Sequence, residues 1–398
     1  MKVLLIETEA EGHYISLYLK NIIKEILLRK EISLSLMTTR TIMLNNDFKF
    51  LRNNKINKFY ISNIKKPKRY NLISLFLYQI KYYFNIKTNF KKISKTENFD
   101  LVYMNTLDHF DKALSVFGSP FQKVKFYGLI NNLKFHLNYY DLGKNFYLSF
   151  FYEKLFKRIL NIKNLKNLFV IDNYIKVYLT NKKIDNCKLV KINEAINYEN
   201  IIISKREKFI FKKKNSLNNN DFIILIYGAI REDKGIKYLI NCITQNSFDK
   251  KIKIIIAGKC EKKILQDIKE FEKKSKQFNF EIILFDFFIN ENFQKIFFSV
   301  YDLIWIGYEK YYGSSGVYYL SGLMKRPVIV NNSGAIHYLN KKYKIGVNTD
   351  VTDQKKVSKK IKLIMFNGPM YYKNNFKKFI NLNKKNVFAK KIIKTILF

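Results

Sequence analysis

Residues 301–330, YDLIWIGYEKYYGSSGVYYLSGLMKRPVIV, contain in succession a strand, a loop, a small-residue turn, a helix and the start of a second strand. DLIWIG (302–307) is a near-continuous apolar strand of the kind covered on both faces. Gly313, Ser314, Ser315 and Gly316 then open a helix that ends before PVIVN (327–331), a strand begun by Pro327. Glycine and serine at a helix start leave backbone N–H groups uncrowded, and the helix dipole there favours an anion. A phosphate fits such a turn; Ser314 or Ser315 equally fits it as an ordinary N-cap.

The same alternation of apolar strands with longer helical stretches runs outward in both directions, the pattern of parallel strands joined by helical crossovers. DFIILIYG (221–228), KIKIIIAG (251–258) and EIILFD (281–286) precede it. The first half repeats the rhythm with KVLLIET (2–8), SLSLMT (33–38), DLVYMN (100–105), KVKFYGLI (123–130), NLFVID (167–172) and KLVKIN (188–193). Between the two series KREKFIFKKKNSLNNN (205–220) loses periodicity and reads as a linker. The chain is therefore α/β, with two doubly wound, Rossmann-like parallel-sheet domains, 1–204 and 221–375, facing a cleft. Ligands of such sheets bind beyond the carboxyl ends of the strands.

A length of 398 residues exceeds one ordinary core, and 47% hydrophobic with 16% aromatic residues excludes intrinsic disorder. The 73 basic residues against 32 acidic give a net charge of +41, which points to an anionic partner: nucleic acid, anionic lipid or a phosphorylated substrate. A Lys-, Asn- and Ile-rich composition from an AT-rich genome accounts for part of that excess. No nucleic-acid module is recognisable and the lysines are spread throughout, so nucleic acid is not the expected partner. Cys187, Cys242 and Cys260 are too few and scattered for a disulfide framework or a zinc site and fit the cytosol. The N-terminus MKVLLIETEAEGHYISLYL turns acidic too soon for a signal peptide and reads as a first strand. No run reaches the ~18 apolar residues of a membrane span.

A second motif lies at LIYGAIREDKGIKYLI (225–240), where a strand ends at Gly228 and a basic loop precedes Gly235 and an amphipathic helix. Glycine permits a tight exit from the strand, and Arg231 and Lys234 reach toward a pyrophosphate. The two motifs and their separation resemble the family 4 retaining glycosyltransferases of the GT-B fold, especially those of bacterial polysaccharide clusters. There a strand, a glycine, a basic residue and KG open the C-terminal domain, as YGAIREDKG does here, and GYEKYYGSSGV with KRPVIV matches the later loop, helix and strand. TEAEGHYISLYLKNII looks like the family's first glycine-bearing loop, with Gly12 and His13 on the acceptor side. FYGLINNLKFHL is similar to a segment ending in Phe135 and His136, and 376–398 would be the helix that crosses back to the first domain.

The resemblance implies a metal-independent, retaining hexosyltransferase without a cofactor, acting in surface polysaccharide biosynthesis. It places Lys234 and Arg231 on the donor diphosphate and the amides of Gly313, Ser314, Ser315, Gly316 and Val317 on its phosphate. It also gives His136 a catalytic place among the four histidines, the others being His13, His109 and His337. The donor would be a UDP- or GDP-sugar and the acceptor a glycan or lipid-linked. No DxD-type carboxylate pair follows a strand, and Asp108 alone does not hold a metal. Departures concern the glutamate pair that family members carry around the glycine-serine turn, replaced by Tyr312 and Leu320, with Glu309 nearby, and the diphosphate arginine, replaced by Ala229. A catalytically lapsed GT-B nucleotide-sugar-binding protein, a sugar-nucleotide epimerase and a basic nucleic-acid-binding protein are the alternatives. Finally, KKPKRYNLISLFLYQIKYYFNIKTNFKKISK (65–95) reads either as a core helix or as a face resting on an anionic membrane, which would make the protein peripheral on the inner face of the plasma membrane.

Overall fold

A computed structural model of the protein describes residues 1–9, 18–51, 56–65, 67, 71–131, 133, 135–136, 146–171, 174–195, 203–275, 277–309, 311, 313 and 315–397. Gly12, His13, Tyr312 and Ser314 lie outside the described residues. The chain divides into two units, Met1–Asn197 with Asn383–Phe398, and Tyr198–Leu382.

Apolar runs become buried parallel strands because both faces of each sheet are covered. In the first unit the strands are β1 (Lys2–Glu7), β2 (Ser33–Thr38), β3 (Asn57–Tyr60), β4 (Leu101–Met104), β5 (Lys125–Ile130), β6 (Leu165–Val170) and β7 (Leu189–Lys191). Their order is β3-β2-β1-β4-β5-β6-β7, every pairing parallel. Successive residues of a strand point to opposite faces. Accordingly Leu4 and Ile6 of β1 join a core built with the Leu72–Ile93 helix, while Val3 and Leu5 join one built with the Lys20–Leu27 and Lys385–Leu397 helices. Phe388, Ala389, Ile392, Ile393 and Ile396 form the buried stripe of that last helix.

The second unit holds β8 (Phe222–Tyr227), β9 (Ile252–Ala257), β10 (Phe280–Phe285), β11 (Leu303–Ile306), β12 (Val328–Asn331) and β13 (Gly346–Thr349), in the parallel order β10-β9-β8-β11-β12-β13. In each sheet the winding reverses once, between β1 and β4 and between β8 and β11. At such a reversal the loops leaving the carboxyl ends diverge, which is where ligands of open α/β sheets sit. Both motifs of the second half lie on that reversal.

Two boundaries differ from the sequence reading. The stretch taken as a linker begins with the helix Lys205–Lys214, started by a capping box in which Ser204 Oγ accepts the Glu207 amide at 3.1 Å and the Glu207 carboxylate accepts the Ser204 amide at 3.0 Å. Lys212, Lys213 and Lys214 stand in its last turn, where the helix dipole favours cations, and Phe211 is buried against Phe285 and Phe297. The last segment is not one crossing helix from 376: the helix Lys373–Leu382 stays in the second unit, and the chain passes to the first at Asn383. The anchor is Phe379, fully buried among the rings of Tyr318, Tyr319 and Tyr343. A Cβ on Gly322 would fall 2.3 Å from its ring. Among the described residues no helix is long and apolar enough to cross a membrane.

Replacing Phe379 with Ala opens a cavity at this contact and is expected to cost the second unit ~3–5 kcal/mol. Hydrogen exchange should quicken first in the Gly316–Leu323 helix and β12. Faster exchange confined to the first unit would contradict the placement.

Candidate functional site

Packing at the β8–β11 reversal joins the two motifs. Gly228 leaves β8 with φ +95°, a left-handed value that suits glycine, and a Cβ there would lie 3.8 Å from Val317 and 3.9 Å from Lys234 Nζ. Gly235 follows Lys234 with φ +64°, and its Cβ would stand 2.2 Å from the Gly307 carbonyl oxygen, so only glycine lets this turn pass the end of β11. Trp305, fully buried in β11, donates its indole N–H to the Lys234 carbonyl at 3.0 Å, and the Glu309 amide donates to the Asp233 carbonyl at 2.9 Å. The lysine is thus held from its backbone outward.

Lys234 as a residue is 6% exposed. Nζ donates to the Tyr308 hydroxyl at 2.6 Å and to the Tyr227 carbonyl at 3.3 Å, and it stands 4.0 Å from the Tyr308 ring centre. Ser315 stands near enough to the Tyr308 hydroxyl to favour its ionised form slightly, against the larger effect of burial. The basic loop and the helix after the glycine-serine turn meet around Gly228, between Val317 and Lys234. Burial disfavours the charged ammonium and brings its pKa down to about 8, with Asp233 opposing the shift and Arg231 adding to it. Burial pushes the Tyr308 phenol well up, so it stays protonated.

Ser315 occupies the N-cap position of the Gly316–Leu323 helix with φ +55°, yet its side chain makes no cap bond there. A Cβ on Gly316 would meet no atom within 4 Å, so space is open at the helix start. Arg231 is half-exposed and engages Asp233 through two bonds, Nη2 to Oδ2 at 2.8 Å and Nε to Oδ1 at 3.2 Å. Lys234, an Arg231 held by Asp233 and a helix start are groups of the kind that bind phosphate.

The structure brings together Gly228, Lys234, Ser315 and Val317, with Arg231 and Gly313 on the same two loops; Ser314 is outside the described residues. Glu309 accepts from the Tyr238 hydroxyl at 2.9 Å, and Leu320 is half-buried in the helix. Sequence reasoning missed Tyr308 and Trp305. The signal for Tyr308 was its place at the carboxyl end of β11, one residue past Gly307.

The remaining candidates stand on other elements. His136 in the first unit is fully buried, its ring 5.6 Å from Phe135 and 6.1 Å from Tyr178. His337 bonds Asn348 within the second unit. Asp108 accepts the Asn131 amide, and His109 Nε2 lies 3.0 Å from Glu9 Oε2. Among the described residues no three His, Cys, Asp or Glu side chains converge as a metal-ligand set.

No protein-family model matches the sequence, and no curated protein matches it either. Solved structures do match over the whole chain. A glycosyltransferase from Rickettsia africae ESF-5 superposes with a TM-score of 0.63 at 15% identity, covering 99% of this chain and 97% of its own. HepE of Anabaena, in complex with UDP, gives 0.65 at 13% identity with full coverage of both chains. The fold is GT-B. A GT-B scaffold is shared by enzymes of different chemistry: UDP-GlcNAc 2-epimerase from Neisseria meningitidis, bound to UDP-GlcNAc, superposes at 0.60 with 16% identity, covering all of both chains. The activity must therefore be argued from the site.

A buried lysine with a depressed pKa is costly to the fold at neutral pH. In the unfolded chain it holds its proton up to about 10.5 and in the folded chain only to about 8, so stability rises with pH across that window. Lys234→Met should abolish this rise and melt at or above the wild type at neutral pH. A clear fall in Tm would contradict it.

Proposed function

We propose that the protein is a glycosyltransferase that takes a sugar from a UDP- or GDP-sugar and passes it to a glycan or lipid-linked acceptor in surface polysaccharide assembly. The observation that carries this reading is the Lys234 ammonium, bonded to the Tyr308 hydroxyl and meeting Val317 of the Gly316–Leu323 helix around Gly228, at the carboxyl edge beside the β8–β11 reversal. Solved relatives of the fold carry UDP, UDP-glucose or UDP-GlcNAc.

Each role follows from charge. The Lys234 ammonium faces the donor diphosphate and strengthens its hold as the sugar departs and negative charge grows on the leaving oxygen. The first amides of the Gly316–Leu323 helix, with Gly313, Ser314, Ser315 and Val317, bind the other phosphate oxygens. Arg231 exchanges its carboxylate partner for phosphate, a like-for-like swap of charge-assisted bonds. With these cations in place transfer proceeds without a metal. In the retaining course the leaving phosphate takes the acceptor proton on the same face of the sugar. His136, fully buried against aromatic rings, serves packing in this scheme; Gly12 and His13 belong to the acceptor side.

Incubation with UDP- and GDP-sugars plus a lipid-linked glycan acceptor should release free nucleotide, and Lys234→Ala should lower the rate by about a hundredfold or more while the fold survives. UDP or GDP should raise the Tm of the wild type and not of the variant. Unchanged turnover in Lys234→Ala, or no stabilisation by either nucleotide, contradicts the assignment.

A further inference from the structure

The second unit carries apolar surface and charge that neither loop of the phosphate site uses. Its Gln354–Asn367 helix packs Val357, Ile361 and Ile364 into the core and turns the opposite face to water. On that outer face Lys355, Lys359, Leu363 and Phe366, all exposed, follow one another at spacings of four, four and three residues, so they stand in a single ridge. The helix stops at Gly368, whose φ of +64° is a left-handed value and whose amide donates to the Ile364 carbonyl at 2.9 Å. Pro369 then opens the short turn Pro369–Tyr372. Tyr372 is buried there beside Phe376, ring centres 6.1 Å apart, while its neighbours Met370 and Tyr371 face outward. A Cβ on Gly368 would meet no atom within 4 Å, so space is open at the reversal.

Leu363, Phe366, Met370 and Tyr371 are 40%, 90%, 70% and 68% exposed. Single apolar side chains in water are ordinary; four large ones gathered at the end of one helix mark a surface that something covers. Its charge says what. From Gln354 to Phe398 the sequence has no aspartate or glutamate. Lys356 pairs with Asp353 at 3.0 Å, and among the described residues no carboxylate pairs with Lys355, Lys359 or Lys373. The ridge is thus cationic over its first turns and apolar at its end. A second copy of the chain brings the same lysines and nowhere more than two adjacent acidic residues to set against them. A bilayer asks for an apolar stripe along a helix lying in the interface, whereas lysines fill this stripe up to its last turns. Entry tip first would drive the last carbonyl groups of the helix into hydrocarbon. A polypeptide with carboxylates along its length and large apolar side chains at one end matches both halves of the ridge, and its own donors can meet those carbonyls.

We propose that this ridge docks an acidic, amphipathic segment of a partner protein, with the segment's carboxylates on Lys355 and Lys359 and its apolar side chains on Phe366, Met370 and Tyr371. The exposed aromatic and methionine side chains supply the anchoring, and the lysines set the rate of approach and the orientation. The inference goes beyond the sugar-transfer reading and does not rest on it. The probe is a phage-displayed library of random peptides of about 15 residues, enough for about four helical turns. It is selected on the full chain and depleted on the triple variant Phe366→Ser/Met370→Ser/Tyr371→Ser.

The recovered peptides should be rich in aspartate and glutamate set to one side of an apolar cluster. The most enriched one, synthesised with a fluorescent label, should bind the wild type saturably by anisotropy and lose about tenfold or more in affinity for the triple variant. Lys355→Glu/Lys359→Glu should weaken it by about tenfold at low salt and by clearly less near 1 M salt, where the Debye length falls to about 3 Å. Every substitution falls at an exposed position, and unchanged melting curves report that the variants are folded. Should the triple variant melt early, the charge-reversed pair, which removes no apolar contact, carries the comparison. Peptides with no acidic enrichment, or an affinity that neither variant lowers, overturn the proposal. Co-sedimentation with vesicles of equal parts phosphatidylcholine and phosphatidylglycerol that the triple variant abolishes, with no peptide recovered, assigns the ridge to a membrane and overturns it. Self-association of the wild type that the triple variant abolishes assigns it to a second copy of the chain, with the same consequence.

Discussion

A lysine ammonium buried against a phenol and a backbone carbonyl is the constraint around which the second unit is arranged. Lys234 donates to Tyr308 and to Tyr227, while the carboxylate of neighbouring Asp233 is occupied by Arg231. Nothing in this arrangement neutralises the charge, and burial lowers its pKa to about 8 as a result. An arrangement that a stability criterion alone would remove persists because its surroundings over-determine it. Trp305 fixes the lysine's carbonyl, Gly235 lets the turn clear Gly307, and Gly228 leaves room for Val317. The sheet supplies the rest: the reversal of winding between β8 and β11 is what sets the two loops side by side.

Much of this was legible in the residues. Near-continuous apolar strands such as IKIIIA (252–257) have no other good reading than strands covered on both faces, and eleven of them appear where the alternation places them. The two that escaped notice, β3 (NKFY) and β13 (GVNT), are outer strands of their sheets. An edge strand packs on fewer neighbours, so its sequence carries little apolar pattern, and Asn, Lys and Gly weaken what remains. The Lys205–Lys214 helix was missed for a related reason. Its lysines mask the periodicity of a single buried Phe211, although the Ser204–Glu207 capping box stood in the sequence as a start signal.

The site divides in the same way. Glycines at the ends of strands and a Gly-Ser turn before a helix are readable because backbone geometry demands those residue types. Tyr308 was marked only by its position, one residue past Gly307 at the end of β11. As one of 28 tyrosines it is not distinguished by type, and its role exists only once β11 delivers it to Lys234. Phe379 is similar, since a phenylalanine on an amphipathic helix declares burial without declaring its neighbours, and its contacts with Tyr318, Tyr319 and Tyr343 keep the Lys373–Leu382 helix in the second unit. His136, by contrast, was chosen for its chemistry, while the fold encloses it in aromatic packing.

Because the GT-B scaffold serves glycosyltransferases and an epimerase alike, the reading rests on what the Lys234 ammonium does when a diphosphate arrives. The most direct measurement follows the protonation of its side chain by NMR, with and without saturating UDP or GDP. The account predicts a midpoint near 8 in the free protein and a clear upward displacement with nucleotide, as a phosphate compensates the buried charge. A free-protein midpoint at the ordinary lysine value of 10.5, or a midpoint that neither nucleotide moves, would contradict it.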